Sequence, residues 1–137
     1  MKVQLENCAY RPVREHPTDA GLDIKAAYAQ DVPPRGNVVV YTGVHVEIPE
    51  GYCGLLVSKS GLNVTEDLTT TGLIDSGYTG QILVKVYNHG TKMRRINAGQ
   101  KITQLVVVPC LTEDIEIVDK INGSDRGSNG IGSTGKL

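Results

Sequence analysis

The residues best suited to bind and react with a small molecule lie together in the middle of the chain. The segment Gly72–Gly80 contains three glycines, one carboxylate (Asp75) and one aromatic ring (Tyr78). Because glycine permits φ > 0 and lets a ligand approach the main chain, the segment predicts a β-hairpin whose backbone lines a pocket. Such a pocket could recognise a flat heterocycle, with Asp75 at its edge and Tyr78 as a wall. The same residues are also typical of an ordinary glycine-rich hairpin.

A second segment, Ser58–Leu62, has the chemistry of a phosphate site. It places Lys59 between the hydroxyls of Ser58 and Ser60, and Gly61 follows the second hydroxyl. An ammonium group and donated hydrogen bonds can hold phosphate oxygens. The alternative is that Ser58 caps a short helix over residues 59–63, which would be the only helix in the chain.

Two polar residues interrupt apolar strands. Asp23 stands between Leu22 and Ile24, and it is either a solvent-facing strand residue or a functional carboxylate. Gln104 lies inside the apolar segment Lys101–Val108, where a buried amide needs hydrogen-bond partners.

The end of the chain, residues 125–137, is rich in Gly and Ser and contains Arg126 and Lys136. We call it the C-terminal arm. With one apolar residue among residues 125–136 it cannot form a core, so we expect it to be mobile. Residues 130–136 match the first part of a P-loop, but no hydroxyl residue or helix follows, so a P-loop fold is excluded. Backbone N–H groups and two cations would still suit a polyphosphate, and a plain disordered tail is the alternative.

Length and composition predict one all-β domain. The 137 residues fit a single domain, divided into a β core (1–124) and the C-terminal arm (125–137). The apolar residues are mainly Val, Ile and Leu, and the 16 Gly and six Pro supply turns. Short alternating segments with turns between them indicate a β-barrel or sandwich with at most one short helix.

The alternation of apolar and polar residues places most of the strands. Residues 3–5, 38–48 and 81–87 are expected to be extended, with Ile82, Val84 and Val86 on one face. Residues 65–71 are polar and predict a loop or an edge strand. Residues 115–117 predict one more short strand. His89 follows Asn88 and precedes Gly90, so a turn role is expected for it.

Charge and segment composition exclude several classes of partner. The formal charge of −1 argues against general nucleic-acid binding. The sequence has neither a long apolar segment nor a signal-peptide core, so we expect a cytoplasmic protein without a membrane partner. The three cysteines match no zinc spacing and no disulfide framework, and we expect small buried thiols.

Taken in order, five segments resemble the motifs of the trimeric dUTP diphosphatase (dUTPase) family. The resemblance extends over essentially the whole chain, and the third and fifth segments are its most specific parts. The segments are Ala20–Ile24, Ser58–Leu62, Gly72–Gly80, Gly99–Val106 and Arg126–Gly135.

The resemblance implies a jelly-roll-like all-β fold and a homotrimer with three active sites. In the family, each site takes motifs from all three subunits, and the last motif arrives on a mobile C-terminal arm that orders over bound ligand. The resemblance also implies Mg²⁺ and the hydrolysis of dUTP to dUMP and pyrophosphate. This reaction supplies dUMP and limits uracil incorporation into DNA.

The resemblance assigns roles to individual residues. Asp75 would orient or deprotonate the water that attacks the α-phosphorus, at about 2.6–3.2 Å. Tyr78 would pack on the deoxyribose and exclude a 2′-hydroxyl, while backbone groups from Gly72 to Tyr78 pair with uracil and reject cytosine by roughly 10⁴. Asp23 would lie near Mg²⁺ through its water shell, the metal being held mainly by substrate phosphates. The remaining implied substrate-binding residues are Lys59, Ser60, Gly61, Gly72, Ile74, Gln104, Arg126, Gly127, Ser128 and Ile131.

Among these residues, Ser60 and Gln104 match phosphate-contacting positions, and Arg126 and Ser128 match ligands of the γ-phosphate. Two positions depart from the family pattern. Lys59 stands where the second motif usually has Arg, and an ammonium group lacks the bidentate fork of guanidinium. Ile131 stands where the arm usually has Phe, so it can cover the uracil ring without stacking on it.

Two other functions are compatible with this fold. A dCTP deaminase would need an additional Glu/Arg pair near the central hairpin; Glu66 is nearby, but residues 58–80 contain no Arg. A nucleotide-gated regulatory protein, in which dUTP orders the arm and changes a surface seen by an unknown protein partner, can coexist with catalysis. A purely structural jelly roll would leave Asp75, Tyr78 and Arg126 unexplained.

Overall fold

Nine β-strands and one α-helix make up the part of the chain that the computed structural model describes, residues 1–130 and 133. The architecture confirms the all-β prediction with a single short helix. No helix in these residues has the length and apolarity needed to cross a bilayer. The elements are β1 (Val3–Leu5), β2 (Leu22–Lys25), β3 (Gln30–Val32), β4 (Asn37–Val46), β5 (Tyr52–Ser58), α1 (Ser60–Glu66), β6 (Leu68–Ile74), β7 (Gln81–Asn88), β8 (Arg94–Ile96) and β9 (Lys101–Pro109).

Seven of the strands form one antiparallel sheet in the order β1-β4-β7-β6-β5-β9-β2, and β3 pairs with β8 in a second, two-stranded sheet. The large sheet curls, because the chain leaving β2 returns to β4. There the N–H of Ala27 donates to the carbonyl oxygen of Tyr41 at 2.8 Å. The concave side of the curl encloses the core.

The alternation seen in the sequence determines which side chains enter that core. In β7, Ile82, Val84 and Val86 are buried whereas Leu83 and Lys85 are exposed, as predicted. The core contains no Phe or Trp and is built from branched aliphatic side chains, which pack well on a pleated surface. Its fully buried members include Ile24, Val32, Val40, Val44, Leu68, Ile82, Val84, Val86, Ile96, Ile102 and Leu105.

Three local predictions are wrong. The polar segment 65–71 is mostly not loop, because residues 68–71 begin β6, an interior strand between β5 and β7. Its threonines are accommodated by hydrogen bonds: Thr70 Oγ1 lies 2.8 Å from Thr103 Oγ1.

The second error concerns the start of α1. Ser58 does not cap this helix, because its hydroxyl donates to the carbonyl of Thr70 instead. Lys59 is the cap residue, and its side chain makes no capping hydrogen bond.

The strand predicted at Ile115–Ile117 is the third error. The last strand ends at Pro109, and Ile115 and Ile117 are 92% and 95% exposed. Alternation alone does not make a strand when no neighbouring strand of the same chain offers ladder partners. Within the described part of one chain, these apolar side chains therefore remain uncovered.

Candidate active site

The segment 72–80 opens a cleft because β6 and β7 pair along only part of their length. Their register runs from Leu68 opposite Asn88 to Thr71 opposite Lys85. Beyond Thr71, β6 continues against β5, whereas the start of β7 pairs with β4. The strands therefore separate towards their connecting loop and leave a cleft of about 280 Å³, lined by Leu73, Ile74, Asp75, Tyr78, Gln81 and Leu83. The predicted hairpin is present, and its open end forms the predicted pocket.

Asp75 and Tyr78 lie at the mouth of this cleft. Ile74 is buried opposite Gly54 and anchors the end of β6. Asp75 is exposed and opens a turn in which the N–H of Tyr78 donates to the Asp75 carbonyl at 3.3 Å. The Tyr78 hydroxyl donates to the carbonyl of Gln81 at 3.0 Å. A carboxylate and an aromatic ring therefore flank a cleft with backbone at its rim, as the sequence predicted.

Gly80 sets the position of the Tyr78 ring, so we predict that Gly80→Ala displaces it. A Cβ at this position would lie 2.6 Å from Tyr78 Cζ and 3.0 Å from Cε2. Because this is the outer end of a side chain, the ring can swing away without unfolding the protein. If Tyr78 forms the wall beside the sugar, Gly80→Ala should raise KM for dUTP about tenfold and weaken discrimination against UTP. Steady-state kinetics with both nucleotides, beside Tyr78→Ala, test this; an unchanged dUTP/UTP ratio in both variants would remove Tyr78 from the sugar site.

A second group of site residues gathers around Asp23. The Lys59 ammonium lies 2.5 Å from Asp23 Oδ1, and Lys101 Nζ lies 3.0 Å from Oδ2. Gln104, directly opposite Asp23 in the β2–β9 register, donates from Nε2 to Oδ1 at 3.4 Å. Lys101 is also bound to Glu15 at 2.7 Å. The structure thus joins the first, second and fourth motifs through one carboxylate.

Asp23 is not a solvent-facing strand residue, since it is only 5% exposed. Burial raises the pKa of its carboxyl, but hydrogen bonds and charges from Lys59 and Lys101 outweigh this, and the resulting pKa is below the ordinary Asp value. The hydrogen bond to Glu15, followed by that to Asp23, raises the pKa of Lys101. Asp23 is therefore a carboxylate anion that holds the ammonium groups of Lys59 and Lys101 close together, and both ammonium groups could bind phosphate oxygens.

Gly21 shapes this cluster, and we predict that Gly21→Ala damages it. A Cβ on Gly21 would lie 2.9 Å from both Cβ and Cδ of Gln104. Since Gln104 Cβ is fixed to the backbone of β9, either the strands shift or the Gln104 amide rotates away from Asp23. We expect a stability loss of about 1–3 kcal/mol, typical of overpacking, in urea unfolding at pH 7. Gly123→Ala, where a Cβ meets nothing within 4 Å, is the matched control; equal midpoints for the two variants would contradict the prediction.

The two groups are far apart within one chain. A single row of the sheet connects Thr71, Val57, Gln104 and Asp23 across β6, β5, β9 and β2. Three strand spacings separate the ends of that row, and Asp75 lies four residues beyond Thr71. With strands about 4.8 Å apart and about 3.3 Å of rise per residue, the backbones of Asp75 and Asp23 are separated by roughly 15–20 Å.

The described part of the arm makes local contacts. The N–H of Gly127 donates to the Ser124 carbonyl at 2.9 Å, and Arg126 Nε donates to the Asn129 carbonyl at 3.1 Å. Arg126, Gly127 and Ser128 are exposed. Ile131 lies outside the described residues, so its predicted place over the uracil ring stays a prediction. Ser60 and Gly61 begin α1 and are also exposed, beside Lys59.

The sequence did not identify Lys101 or His45 as residues that contact the site. Lys101 meets Asp23 only because β2 and β9 are neighbours, and no local pattern signals that pairing. His45 lies on β4, yet its ring contacts the carbonyl of Thr79 in the loop that carries Asp75 and Tyr78. His89, the histidine noticed from the sequence, bonds Thr69 at the other end of β7.

Comparisons with known proteins agree with this geometry. The family model described as dUTPase matches residues 9–135. The deoxyuridine 5′-triphosphate nucleotidohydrolase of Gloeothece citriformis is 36% identical over 136 residues, covering 97% of this chain and 94% of that protein. The dUTPase of Staphylococcus bacteriophage 80alpha, solved with dUPNHPP, superposes with a TM-score of 0.91 at 34% identity, covering 98% of this chain and 97% of that one.

A mutant dUTPase from phage phi11 of S. aureus, solved to show the coordination of a structural Mg(II) ion, superposes with a TM-score of 0.82 at 33% identity. It covers 89% of this chain and 98% of that one. The fold and the cleft thus define a jelly-roll nucleotide-binding protein. The chain belongs to the dUTPase family.

Proposed function

We propose that this protein hydrolyses dUTP to dUMP and pyrophosphate. The observation that carries the proposal is the splayed β6–β7 end, which places Asp75 and Tyr78 beside a cleft of about 280 Å³. The relatives named above are one deoxyuridine 5′-triphosphate nucleotidohydrolase and two phage dUTPases, one of which was solved with dUPNHPP. The cleft is large enough for a nucleoside, so the triphosphate would be bound by residues outside it.

The residues divide the chemistry between them. The backbone of Gly72–Ile74 has no β7 ladder partner among the described residues, so its free edge is available to pair with uracil. Tyr78 closes the sugar side, and the exposed Asp75 carboxylate orients water towards the α-phosphorus. Lys59 and Arg126, with the polar groups of Ser60 and Gln104, neutralise and position the phosphates.

The active protein is a homotrimer with shared sites. Asp75 must act at the α-phosphorus while the Asp23 group meets the rest of the same triphosphate. A backbone separation of roughly 15–20 Å, from strand spacing and rise, is too great for one chain to supply both. Exposed apolar side chains after β9, among them Leu111, Ile115, Ile117 and Ile121, also need a partner surface. Further copies of the chain satisfy both requirements, and the family resemblance gives their total number as three.

The residues around Asp23 fit Mg²⁺ only as an ion held mainly by the substrate. Among the described residues no three His, Cys, Asp or Glu side chains cluster as a metal cage. Both Asp23 oxygens contact lysine ammonium groups, so Asp23 would reach the ion through its water shell. Mg²⁺ keeps several waters and binds substrate phosphates, and those phosphates would supply most of its ligands. Bound there, the ion would neutralise phosphate charge and orient the triphosphate.

A regulatory role is a second candidate. The 80alpha protein was solved as one of the phage dUTPases that control transfer of virulence genes by a proto-oncogenic G protein-like mechanism. In the present chain, the exposed arm supplies a segment whose position could report bound nucleotide to another protein. Pull-down with and without a non-hydrolysable dUTP analogue tests this role separately from hydrolysis.

Pyrophosphate release from dUTP, UTP, dCTP and dTTP, each with and without Mg²⁺, tests the proposed reaction. We expect release with dUTP and Mg²⁺ that exceeds every other condition. Ammonia release from dCTP would indicate the deaminase alternative instead. Sedimentation analysis should give the mass of three chains; an active monomer would contradict the shared site.

A further inference from the structure

We propose that His45 is a positioning residue, which fixes the loop Asp75–Gly80 against the sheet and so sets the affinity for the nucleotide. We call these residues the 75–80 loop. The inference rests on the proposed dUTP hydrolysis, because it assigns a new residue to that reaction.

Both ring nitrogens of His45 face hydrogen-bond acceptors. Nδ1 lies 2.8 Å from the carbonyl oxygen of Thr79, and Nε2 lies 3.1 Å from Oε1 of Glu6. A neutral imidazole carries one N–H and can donate to only one of these acceptors, whereas imidazolium donates to both. The protonated ring therefore forms a bridge from the segment after β1, through β4, to the 75–80 loop.

The 75–80 loop has few other links to the sheet. Its own hydrogen bonds, from the N–H of Tyr78 to Asp75 and from the Tyr78 hydroxyl to Gln81, are local. Gly77, Tyr78 and Thr79 line an open groove of about 500 Å³ against residues 2–4 and 45–47. Open space on that side leaves the His45–Thr79 contact to determine how the loop stands relative to β4.

A β-bulge in β4 aims His45 at the loop. The β4–β7 register shifts between Tyr41 and His45, and Gly43 has a φ of 63° at that point. The N–H of Gly43 donates to the side-chain oxygen of Gln81 at 3.1 Å, which ties the bulge to the first residue of β7. Bulges commonly redirect a side chain next to a functional site, and here the redirected ring meets the loop that carries Asp75.

The charged surroundings favour the cation. The hydrogen bond to the Thr79 carbonyl, then that to Glu6, raises the pKa of His45 above its ordinary value of 6.5. Other charged or titratable groups near His45 are few among the described residues. Lys2 and Glu47 line the groove but pair with each other at 2.9 Å, and the loop contributes Asp75 and Tyr78. Gln4 and Gln81, which lie opposite His45 on the neighbouring strands, are neutral. The bridge is thus complete below pH 6.5 and is lost as the pH rises through the higher folded-state pKa.

Two substitutions separate the two contacts. In His45→Asn the amide nitrogen takes roughly the place of Nδ1 and can still donate to Thr79, whereas in His45→Gln it takes that of Nε2 and reaches only Glu6. We expect His45→Gln to raise KM for dUTP about fivefold to tenfold, the effect of one ordinary hydrogen bond. The kcat should stay within about twofold of wild type, because saturating dUTP restores the loop. The KM of His45→Asn for dUTP should stay within about threefold of the wild-type value. His89→Asn is the control, at the other end of β7 from the loop.

The pH dependence distinguishes positioning from a merely structural role. The KM of the wild type divided by the KM of His45→Asn should rise between pH 6 and 9. In Glu6→Gln this rise should occur at lower pH, because the substitution removes the carboxylate that favours the imidazolium cation. Hydrogen exchange of the ligand-free protein should be faster in the 75–80 loop of His45→Gln than in the wild type. Equal KM values and equal exchange in the two His45 variants and the wild type would overturn the inference. If the wild type itself releases no pyrophosphate from dUTP, the proposed function fails instead, and hydrogen exchange still decides whether His45 holds the loop.

Discussion

Asp75→Asn is expected to lower kcat for dUTP hydrolysis about 10²–10⁴-fold, the range over which a positioned general base contributes. Asn has nearly the same shape and can follow the buried Ile74 in the same turn, so the cleft should persist. Asn lacks the anionic oxygen that we propose aligns the attacking water. The Kd of a non-hydrolysable dUTP analogue, measured by calorimetry, should therefore change far less than kcat measured by pyrophosphate release.

Asp67→Asn is the matched control for this substitution. Asp67 is an exposed carboxylate that ends α1 with a φ of 58°, a left-handed conformation that Asn tolerates. Asp67 lies directly before β6 and Asp75 directly after it, so Asp67→Asn removes one negative charge at the end of the strand that lies away from the cleft. Normal turnover by Asp75→Asn would refute the role of Asp75, and an equal loss in both variants would indicate a general charge effect.

Local patterns predicted the parts of the fold in which one face of a strand is apolar. The alternation in β7 and the sequence of turns were sufficient for the all-β architecture. Segment 72–80 could be recognised for a similar reason, since glycines beside one carboxylate and one aromatic residue carry their chemistry in sequence. Segment 65–71 could not be placed, because buried threonines look polar until Thr70 and Thr103 are found to bond each other.

Contacts between segments that are distant along the chain could not be predicted from the sequence. Asp23 resembles an exposed strand residue until the β2–β9 register places Gln104 opposite it and brings Lys59 and Lys101 to its oxygens. Lys101 is separated from Asp23 by most of the chain, and His45 from Thr79 by 34 residues. No local sequence pattern, such as a capping residue or a turn signature, predicts either contact. The local sequence therefore indicated candidate chemical groups, whereas the side chains that contact them, such as Lys101 and His45, were found only in the fold.

The distribution of the site over distant elements has a physical consequence. One group of residues, on β2, β9 and the start of α1, is a charge cluster that pre-arranges two cations around a buried carboxylate. The other, on the splayed hairpin, is a cleft with few charges and exposed Leu73 and Leu83. In the proposed mechanism, base recognition and phosphate neutralisation therefore use separate surfaces of the chain, which the proposed trimer would bring together. A substitution in either group should affect catalysis without unfolding the other.

Deletion of residues 126–137 is expected to lower kcat/KM for dUTP by at least about 100-fold, because it would remove the proposed charge-assisted contacts of Arg126 and Ser128 with the γ-phosphate. The described arm residues are exposed and bond mainly to one another, so their loss removes no core contact. The mass of the assembly in solution and the unfolding midpoint should therefore stay at wild-type values. The measurements are pyrophosphate release, light scattering after gel filtration, and urea unfolding.

Arg126→Gln within the full-length chain shows whether the loss comes from charge or from coverage of the site. If charge dominates, this variant should reproduce most of the effect of the deletion, because a neutral amide cannot replace a guanidinium at a polyphosphate. If coverage dominates, Arg126→Gln should retain most activity while the deletion does not, and Ile131 becomes the residue to vary. A truncated protein with wild-type kcat/KM would contradict both explanations. It would mean that Lys59 and the groups near Asp23 hold the triphosphate without the arm.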